Sequence, residues 1–327
     1  MMKAIFPKIL ILAATAAAVL SCAQEYDESS ESVQKRILEA YVNKYYPDAV
    51  QSASGLYILN TEEGTGRIPD DTSYVRVEYT ITYLDNSYYA YTSDSIAKQL
   101  GTYSNGGYYE PRVWSLRASS PGIVELLTDM REGGSVKAII PAVLLDEESG
   151  TEITDSEGSS KIYEITLVEV IDDIDQYQFD QLSDFAKSHY PAVKDSTTYG
   201  FYYHKLRSSS ADTALSDGTE LQVRYVGRFL NGTVFDTNIE DTAKRHRIYK
   251  SGAEYASVAY KYRTDSLQAM SDNSFVAGFN KALYGMTYKD RAVTFFYSDL
   301  GYGDNGNSTI PGFVPLFFEL WVEEKAD

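Results

Sequence analysis

At 327 residues the chain has room for two domains of ordinary size, and its 43% apolar content is enough to fill two cores. Its 47 acidic and 29 basic residues leave a formal net charge of −18, which excludes the basic face that nucleic acid requires and suits a protein kept soluble in a crowded compartment. Cys22 is the only cysteine, so the fold stands without disulfides and without a thiol nucleophile in its body. The 29 tyrosines point to a strand-rich fold, although exposed tyrosines can also bind peptides or glycans.

Lys3 and Lys8 precede a continuous apolar or small-residue run over residues 9–20. That run is too short for a bilayer core of about 30 Å, so it reads as the core of a signal peptide rather than as a membrane span. Val19-Leu20-Ser21-Cys22 resembles a bacterial lipobox, which implies that residues 1–21 are removed and that Cys22 is lipidated. Stable anchoring then takes more than one acyl chain. Residues 22–32 read as an acidic tether. An acidic run just after the cysteine also resembles the surface-export signal of some Bacteroidetes lipoproteins, and a plain spacer fits equally. The expected location is the bacterial cell envelope, lipid-anchored at the outer membrane, on its periplasmic or its surface face.

The body of the chain is repeated. Ile37-Leu38-Glu39-Ala40-Tyr41 and Leu182-Ser183-Asp184-Phe185-Ala186 each lie in an amphipathic helix stopped by Tyr-Pro, at Tyr46-Pro47 and Tyr190-Pro191. Glycine-led strands follow at Gly55-Leu56-Tyr57 and Gly200-Phe201-Tyr202, then alternating strands at Val75-Arg76-Val77-Glu78-Tyr79 and Leu221-Gln222-Val223-Arg224-Tyr225. Gly122 and Met130 are related as Gly278 and Met286 are. The copies are 144 to 156 residues apart (Pro47 to Pro191, Gly122 to Gly278). Two domains of one fold are expected, at residues 33–173 and 174–327. The boundary lies near residues 171–178, where a strand ending in acids passes into a helix start. Pattern alone gives an α+β class.

The second copy carries Val223-Arg224-Tyr225-Val226-Gly227, Gly232-Thr233-Val234-Phe235-Asp236, Phe275-Val276-Ala277-Gly278-Phe279, Gly285-Met286, Gly301-Tyr302-Gly303, Ile310-Pro311 and Leu316-Phe317-Phe318. In this order the segments closely resemble the FKBP-type peptidyl-prolyl isomerases. The resemblance implies two FKBP-like domains, each a bent antiparallel sheet wrapped around a short helix, which in the second copy lies near residues 278–284. It implies a peptidyl-prolyl isomerase that assists folding of envelope proteins and takes proline-containing polypeptides as clients, with no cofactor. Phe279 would be the pocket floor where the family commonly has tryptophan. Tyr225, Phe235 and Phe318 would be its walls, with Ile310 on the rim and Phe275, bulkier than the usual aliphatic, beside it. Val276 would offer its backbone N–H to the substrate carbonyl and Tyr302 its hydroxyl. Asp236 would order the polar edge beside Tyr225. Tyr225, Asp236 and Tyr302 are thus the candidate catalytic set. Gly312 stands where a proline often follows Ile-Pro.

Each residue also has a plainer reading. Tyr225, Phe235 and Phe318 sit on apolar-patterned strands as core residues would, and Asp236 alone would be a turn aspartate. Tyr302, between two glycines in a loop, has no packing reason to be there. With the tyrosines as anchors, Phe235 and Asp236 align with Tyr89 and Ala90; with the methionines, Phe279 aligns with Ile123. The first copy therefore keeps the framework and lacks the site, and is read as a spacer, a dimerisation surface or a chaperone-like arm. Residues 237–274 exceed the family minimum, hold the cationic cluster Lys244-Arg245-His246-Arg247, and read as a client flap or a solvated hairpin.

His189, His204 and His246 lack ligand spacing, so no histidine metal site is expected. Asp304-Asn305-Gly306-Asn307 falls short of a calcium loop. Asp94-Ser95-Ile96, Asp212-Thr213-Ala214, Asp241-Thr242-Ala243 and Asp265-Ser266-Leu267 resemble O-glycosylation acceptors of Bacteroidetes envelopes. The alternative to an enzyme is a pair of pseudo-isomerase domains that bind unfolded chains, peptides or glycans without turnover. A homodimer is compatible with either.

Overall fold

The computed structural model describes residues 30–145, 159–193, 200–208 and 214–324. The leader, Cys22, most of the tether and the Asp212-Thr213 pair lie outside the described residues. Helix α1 (Ser30–Tyr45) belongs to a unit that closes at Pro47, and residues 48–327 form a second unit. The helix ends just before Tyr46-Pro47, because proline excludes the helical conformation from the residue before it.

In the second unit the first half runs β1 (Val50–Gln51), β2 (Tyr57–Glu62), β3 (Tyr74–Tyr83), β4 (Tyr88–Tyr91), α2 (Asp94–Leu100), β5 (Arg112–Ser115), α3 (Pro121–Thr128), β6 (Ser135–Ile140) and β7 (Lys161–Ile171). The second half runs α4 (Ile174–His189), β8 (Phe201–Arg207), β9 (Glu220–Phe229), β10 (Val234–Thr237), α5 (Glu240–Arg245), β11 (Val258–Lys261), α6 (Ser266–Asp272), α7 (Ala277–Tyr284), β12 (Arg291–Phe296) and β13 (Leu316–Val322). The first sheet has the order β1-β2-β6-β7-β3-β4 with β5 also on β3, and the second β8-β12-β13-β9-β10 with β11 also on β9. Apart from β1 the two orders are the same, and every pairing is antiparallel. The fold is α+β, two bent sheets each packed on one short helix.

Register explains the repeat residue by residue. Ile81 faces Ala90 across β3 and β4, and Gly227 faces Asp236 across β9 and β10, so Ala90 does occupy the place of Asp236. The tyrosine backbone N–H is held the same way in both halves: Tyr79 donates to Thr92 Oγ1 at 3.1 Å, and Tyr225 donates to Asn238 Oδ1 at 2.8 Å.

Each short helix enters its sheet through apolar residues on one face. Ile123, Leu126 and Leu127 of α3 join the first core with Val75, Val77, Ile81 and Leu167. Phe279, Ala282 and Leu283 of α7 join the second with Leu221, Val223, Phe229 and Leu320. Fully burying such a side chain contributes about 1.5–3 kcal/mol, so these faces decide where the helices sit. Gly278 is required there, since any Cβ would run into the Phe296 ring.

Helix α4 covers the other face of the second sheet. Asp173 caps it by accepting from the Gln176 N–H at 3.0 Å, and Tyr190-Pro191 ends it. Its Phe185 packs on Phe295 and Phe317 with ring centroids 5.2 and 5.5 Å away. The three described Asp-Ser/Thr triplets all fall at helix starts, and Asp265 caps α6 through the Leu267 and Gln268 N–H groups. Asp94 and Asp241 lie in the first turns of α2 and α5, where a negative charge suits the helix dipole. Residues 237–274 hold α5, a loop, β11 and α6 rather than a hairpin, and the first half repeats the first three as α2, loop and β5.

Candidate functional site

The site grows out of four elements of the second half: the β9–β10 pair, β13, α7 with its N-terminal residue, and the loop after β12. Val223, Tyr225 and Phe229 alternate along β9, and the core-facing members Val223 and Phe229 pull the strand down while Tyr225 remains half-buried. Across the pair lies Phe235, also half-buried. Gly227 lets Phe235 and Phe318 close over the strand, because a Cβ there would lie 2.7 Å from Phe235 and 2.9 Å from Phe318.

Four rings then meet. Phe279 stands edge-on to Tyr225 at 5.7 Å and to Phe318 at 5.2 Å, and Phe235 stands edge-on to Phe318 at 5.8 Å. Edge-to-face contacts place the positive rim of one ring on the negative face of the next, each adding about 0.5–1.5 kcal/mol beyond burial. Phe275 leans on Phe279 at 4.9 Å, and Phe296 stacks behind Phe318 at 5.9 Å.

The polar edge is equally defined. Tyr225 donates its hydroxyl to Asp236 Oδ2 at 2.7 Å, and Asp236 Oδ1 accepts from the Thr237 N–H at 2.9 Å. Burial, reinforced by the Asp236 carboxylate, pushes the Tyr225 phenol well above the usual tyrosine value. Burial, and then Asp236, raise Tyr302 as well. Both phenols are therefore neutral at ordinary pH. Tyr225 has committed its proton to Asp236, whereas the hydroxyl of Tyr302, a residue 37% exposed, makes no hydrogen bond to another described residue. Val276 is the N-terminal cap of α7, and among the described residues nothing takes up its backbone N–H. Such orphan donors at a helix start are open to an incoming acceptor.

Tyr225, Phe235, Asp236, Tyr302 and Ile310 line an open cleft of about 890 Å³. Phe279 and Phe318, only 2% and 5% exposed, lie beneath that surface rather than on it, and Phe275 and Val276 are at the α7 edge, outside the cleft lining. Phe279, expected as the pocket floor, thus lies under the cleft lining. Phe275, packed on the Phe279 ring, helps to cover it.

Sequence reasoning missed two supports. Asn238 is buried, and besides accepting from Tyr225 it donates to Val223 O at 2.9 Å, which pins β9 beside the pocket. Its counterpart Thr92 was the only signal. Gln178 of α4 accepts from the Ser298 N–H at 2.8 Å, at the root of the loop that carries Tyr302. One polar residue inside a helix pattern carries no such message.

In the first half Tyr79, Tyr89 and Ala90, the counterparts of Tyr225, Phe235 and Asp236, line the same cleft. Trp114 of β5 packs on Tyr79 at 4.9 Å, Ile123 replaces Phe279, and Tyr79 is 4% exposed.

Residues 211–323 match the FKBP-type peptidyl-prolyl cis-trans isomerase family. The matched segment covers β9 to β13 and every candidate site residue of the second half. Among solved structures, the chain is similar to FkpA from Escherichia coli at 24% identity, covering 52% of this chain and 74% of that one with a TM-score of 0.35. It is similar to a peptidyl-prolyl cis-trans isomerase from Pseudomonas syringae at 21% identity, over 47% of this chain and 94% of that one, with a TM-score of 0.33. The three FKBP domains of wheat FKBP73 are similar at 13% identity, over 83% of this chain and 95% of that one, with a TM-score of 0.30. No curated protein matches the chain.

Proposed function

We propose that this chain is a peptidyl-prolyl cis-trans isomerase acting on proline-containing polypeptides, with the second half catalytic, and that a lipidated Cys22 holds it in the bacterial envelope to assist protein folding there. The observation that carries the reading is the ring cage of Tyr225, Phe235, Phe279 and Phe318, with the uncommitted Tyr302 hydroxyl at its mouth.

Rotation about a peptide bond costs about 18–20 kcal/mol because the twisted state loses amide resonance. Isomerisation at proline therefore takes tens of seconds or more unaided. No bond needs to be made or broken. A catalyst need only bind the twisted imide better than either planar form. Apolar rings around the proline disfavour the charge-separated resonance form that stiffens the bond. The Val276 N–H and Tyr302 O–H are donors of the kind that hold a rotated carbonyl, and the Tyr225–Asp236 bond keeps the wall ring in place.

The test is proline-limited refolding of a reporter protein with and without the full chain, beside Tyr302→Phe. The expectation is acceleration that falls about tenfold in Tyr302→Phe, the factor for a lost hydrogen bond of roughly 1.4 kcal/mol, with unchanged thermal stability. Absence of acceleration with client aggregation still suppressed would replace the enzyme by a binding module. Anchoring is tested separately: Cys22→Ser releases the protein from the membrane fraction if Cys22 carries the lipid.

A further inference from the structure

The two halves build the same loop twice. After α2, Tyr103 stacks on Tyr109 (5.3 Å, 15°), and the Ser104 N–H donates to the Tyr109 hydroxyl at 3.0 Å. After α5, Tyr249 stacks on Tyr255 (5.2 Å, 14°), and the Lys250 N–H donates to the Tyr255 hydroxyl at 2.9 Å. Lys98 lies over Tyr103 at 4.8 Å and Lys244 over Tyr249 at 5.2 Å. Each lysine is tied at 2.6 Å to the acid one turn earlier, Asp94 or Glu240.

Both loops face one cleft. Gly107 and Tyr109 line it from the first half, Ala253 and Tyr255 from the second, together with Tyr225, Asp236 and Tyr302. The first-half loop is fixed in that position. Tyr108 stands edge-on to Phe229 at 4.9 Å, Asn105 donates to Arg247 O at 3.3 Å, and Glu110 accepts from Asn231 at 3.0 Å. Gly106 presses so closely on β10 that a Cβ would lie 3.1 Å from Val234 O. The second loop is held by the Arg224 guanidinium, which donates to Tyr255 O at 2.9 Å. At about 890 Å³ the space is far larger than a proline ring needs and falls in the range of a whole ligand site.

We propose that this cleft is an extended polypeptide trough, in which the residues flanking the client proline lie between the Tyr109 loop and the Tyr255 loop. It deepens the isomerase reading and rests on it, because the trough is continuous with the proline cage through Tyr225, Phe235 and Tyr302. The walls favour an unfolded segment of relaxed sequence. Tyrosine faces accept side chains of many kinds, and hydroxyls along the cleft can bond an extended backbone. The first half is thus a wall of the client site and not only a relative that has lost its own.

The experiment measures equilibrium binding of a labelled proline-containing tetrapeptide and of a dodecapeptide with the same centre to the full chain, by fluorescence anisotropy. The dodecapeptide is expected to bind about tenfold more tightly, one buried aromatic anchor being enough for that factor. Tyr109→Ala should reduce the preference to within about twofold. Ala253→Trp, at an exposed position on the opposite wall, should do the same by filling the trough. Equal binding of the two peptides, or a preference that survives in both variants, overturns the proposal. Saturable binding of a neutral oligosaccharide in place of peptide would overturn it too. Because binding is read without turnover, a chain that shows the length preference but no isomerase activity refutes the proposed function and leaves the trough standing.

Discussion

Phe279→Ala tests whether the covered ring is the keystone of the cage. The side chain is 2% exposed and touches the Tyr225, Phe275 and Phe318 rings at 5.7, 4.9 and 5.2 Å. Removing a buried phenylalanine costs about 3–5 kcal/mol through lost transfer energy and the cavity left behind. Three ring partners, and Gly278 pressed against Phe296 in the same helix, limit how far the site can collapse, which places the cost in the upper half of that range. Against a total of about 5–15 kcal/mol this is a large share of the stability, so the folded fraction at 25 °C is read before binding. Urea denaturation followed by circular dichroism reads the loss, and peptide binding reads the pocket. The companion Phe275→Val removes a half-buried ring from the rim, costs about 1 kcal/mol, and uncovers the floor, so peptide affinity should hold or rise. A Phe279→Ala loss below about 1 kcal/mol, or a Phe275→Val variant that binds peptide as poorly as Phe279→Ala, would refute the reasoning that Phe279 is the floor and Phe275 its cover.

Three further outcomes are expected. Gln178→Leu leaves the buried Ser298 N–H without its acceptor, so stability should fall by about 1–3 kcal/mol and the isomerase rate should drop with it; a full rate would show that Tyr302 does not depend on that anchor. Asp299 is raised above its ordinary 3.8 by burial, then by Asp175 and Asp304. The folded state therefore holds this proton more tightly than the unfolded one, and its contribution is most favourable in acid and fades as pH rises through the raised value. Asp299→Asn should flatten that part of the stability–pH curve and stabilise the protein at pH 7, as thermal melts against pH would show. Both site phenols are raised from 10.0, chiefly by burial, so activity should be level across neutral pH and decline only in alkali above about 10; an alkaline decline centred below pH 9 would exclude the Tyr302 donor.

Much of the framework could be read from residue pattern, because it rests on local chemistry. Tyr-Pro ends a helix wherever it stands, alternation marks a half-buried strand, and Asp or Ser before a helix caps it. The repeat spacing therefore located both helices and the paired strands, and the ordered motifs from Val223 to Phe318 located the aromatic cage. The difference between the halves was also legible, since Ala90 and Ile123 stand where Asp236 and Phe279 do. What remained hidden depends on contacts between residues distant in sequence. Whether Phe279 is open or covered depends on the angle at which Phe275 leans from the start of α7. That Gln178 supports the Tyr302 loop depends on how α4 lies across the sheet, 120 residues from Ser298. The tyrosine loops are visible in the sequence as Tyr103 with Tyr109 and Tyr249 with Tyr255, but a spacing cannot say that two loops share a cleft. Side-chain period and capping act over a few residues and are written in the chain; the walls of a cleft are set by packing between halves, which only the tertiary structure decides.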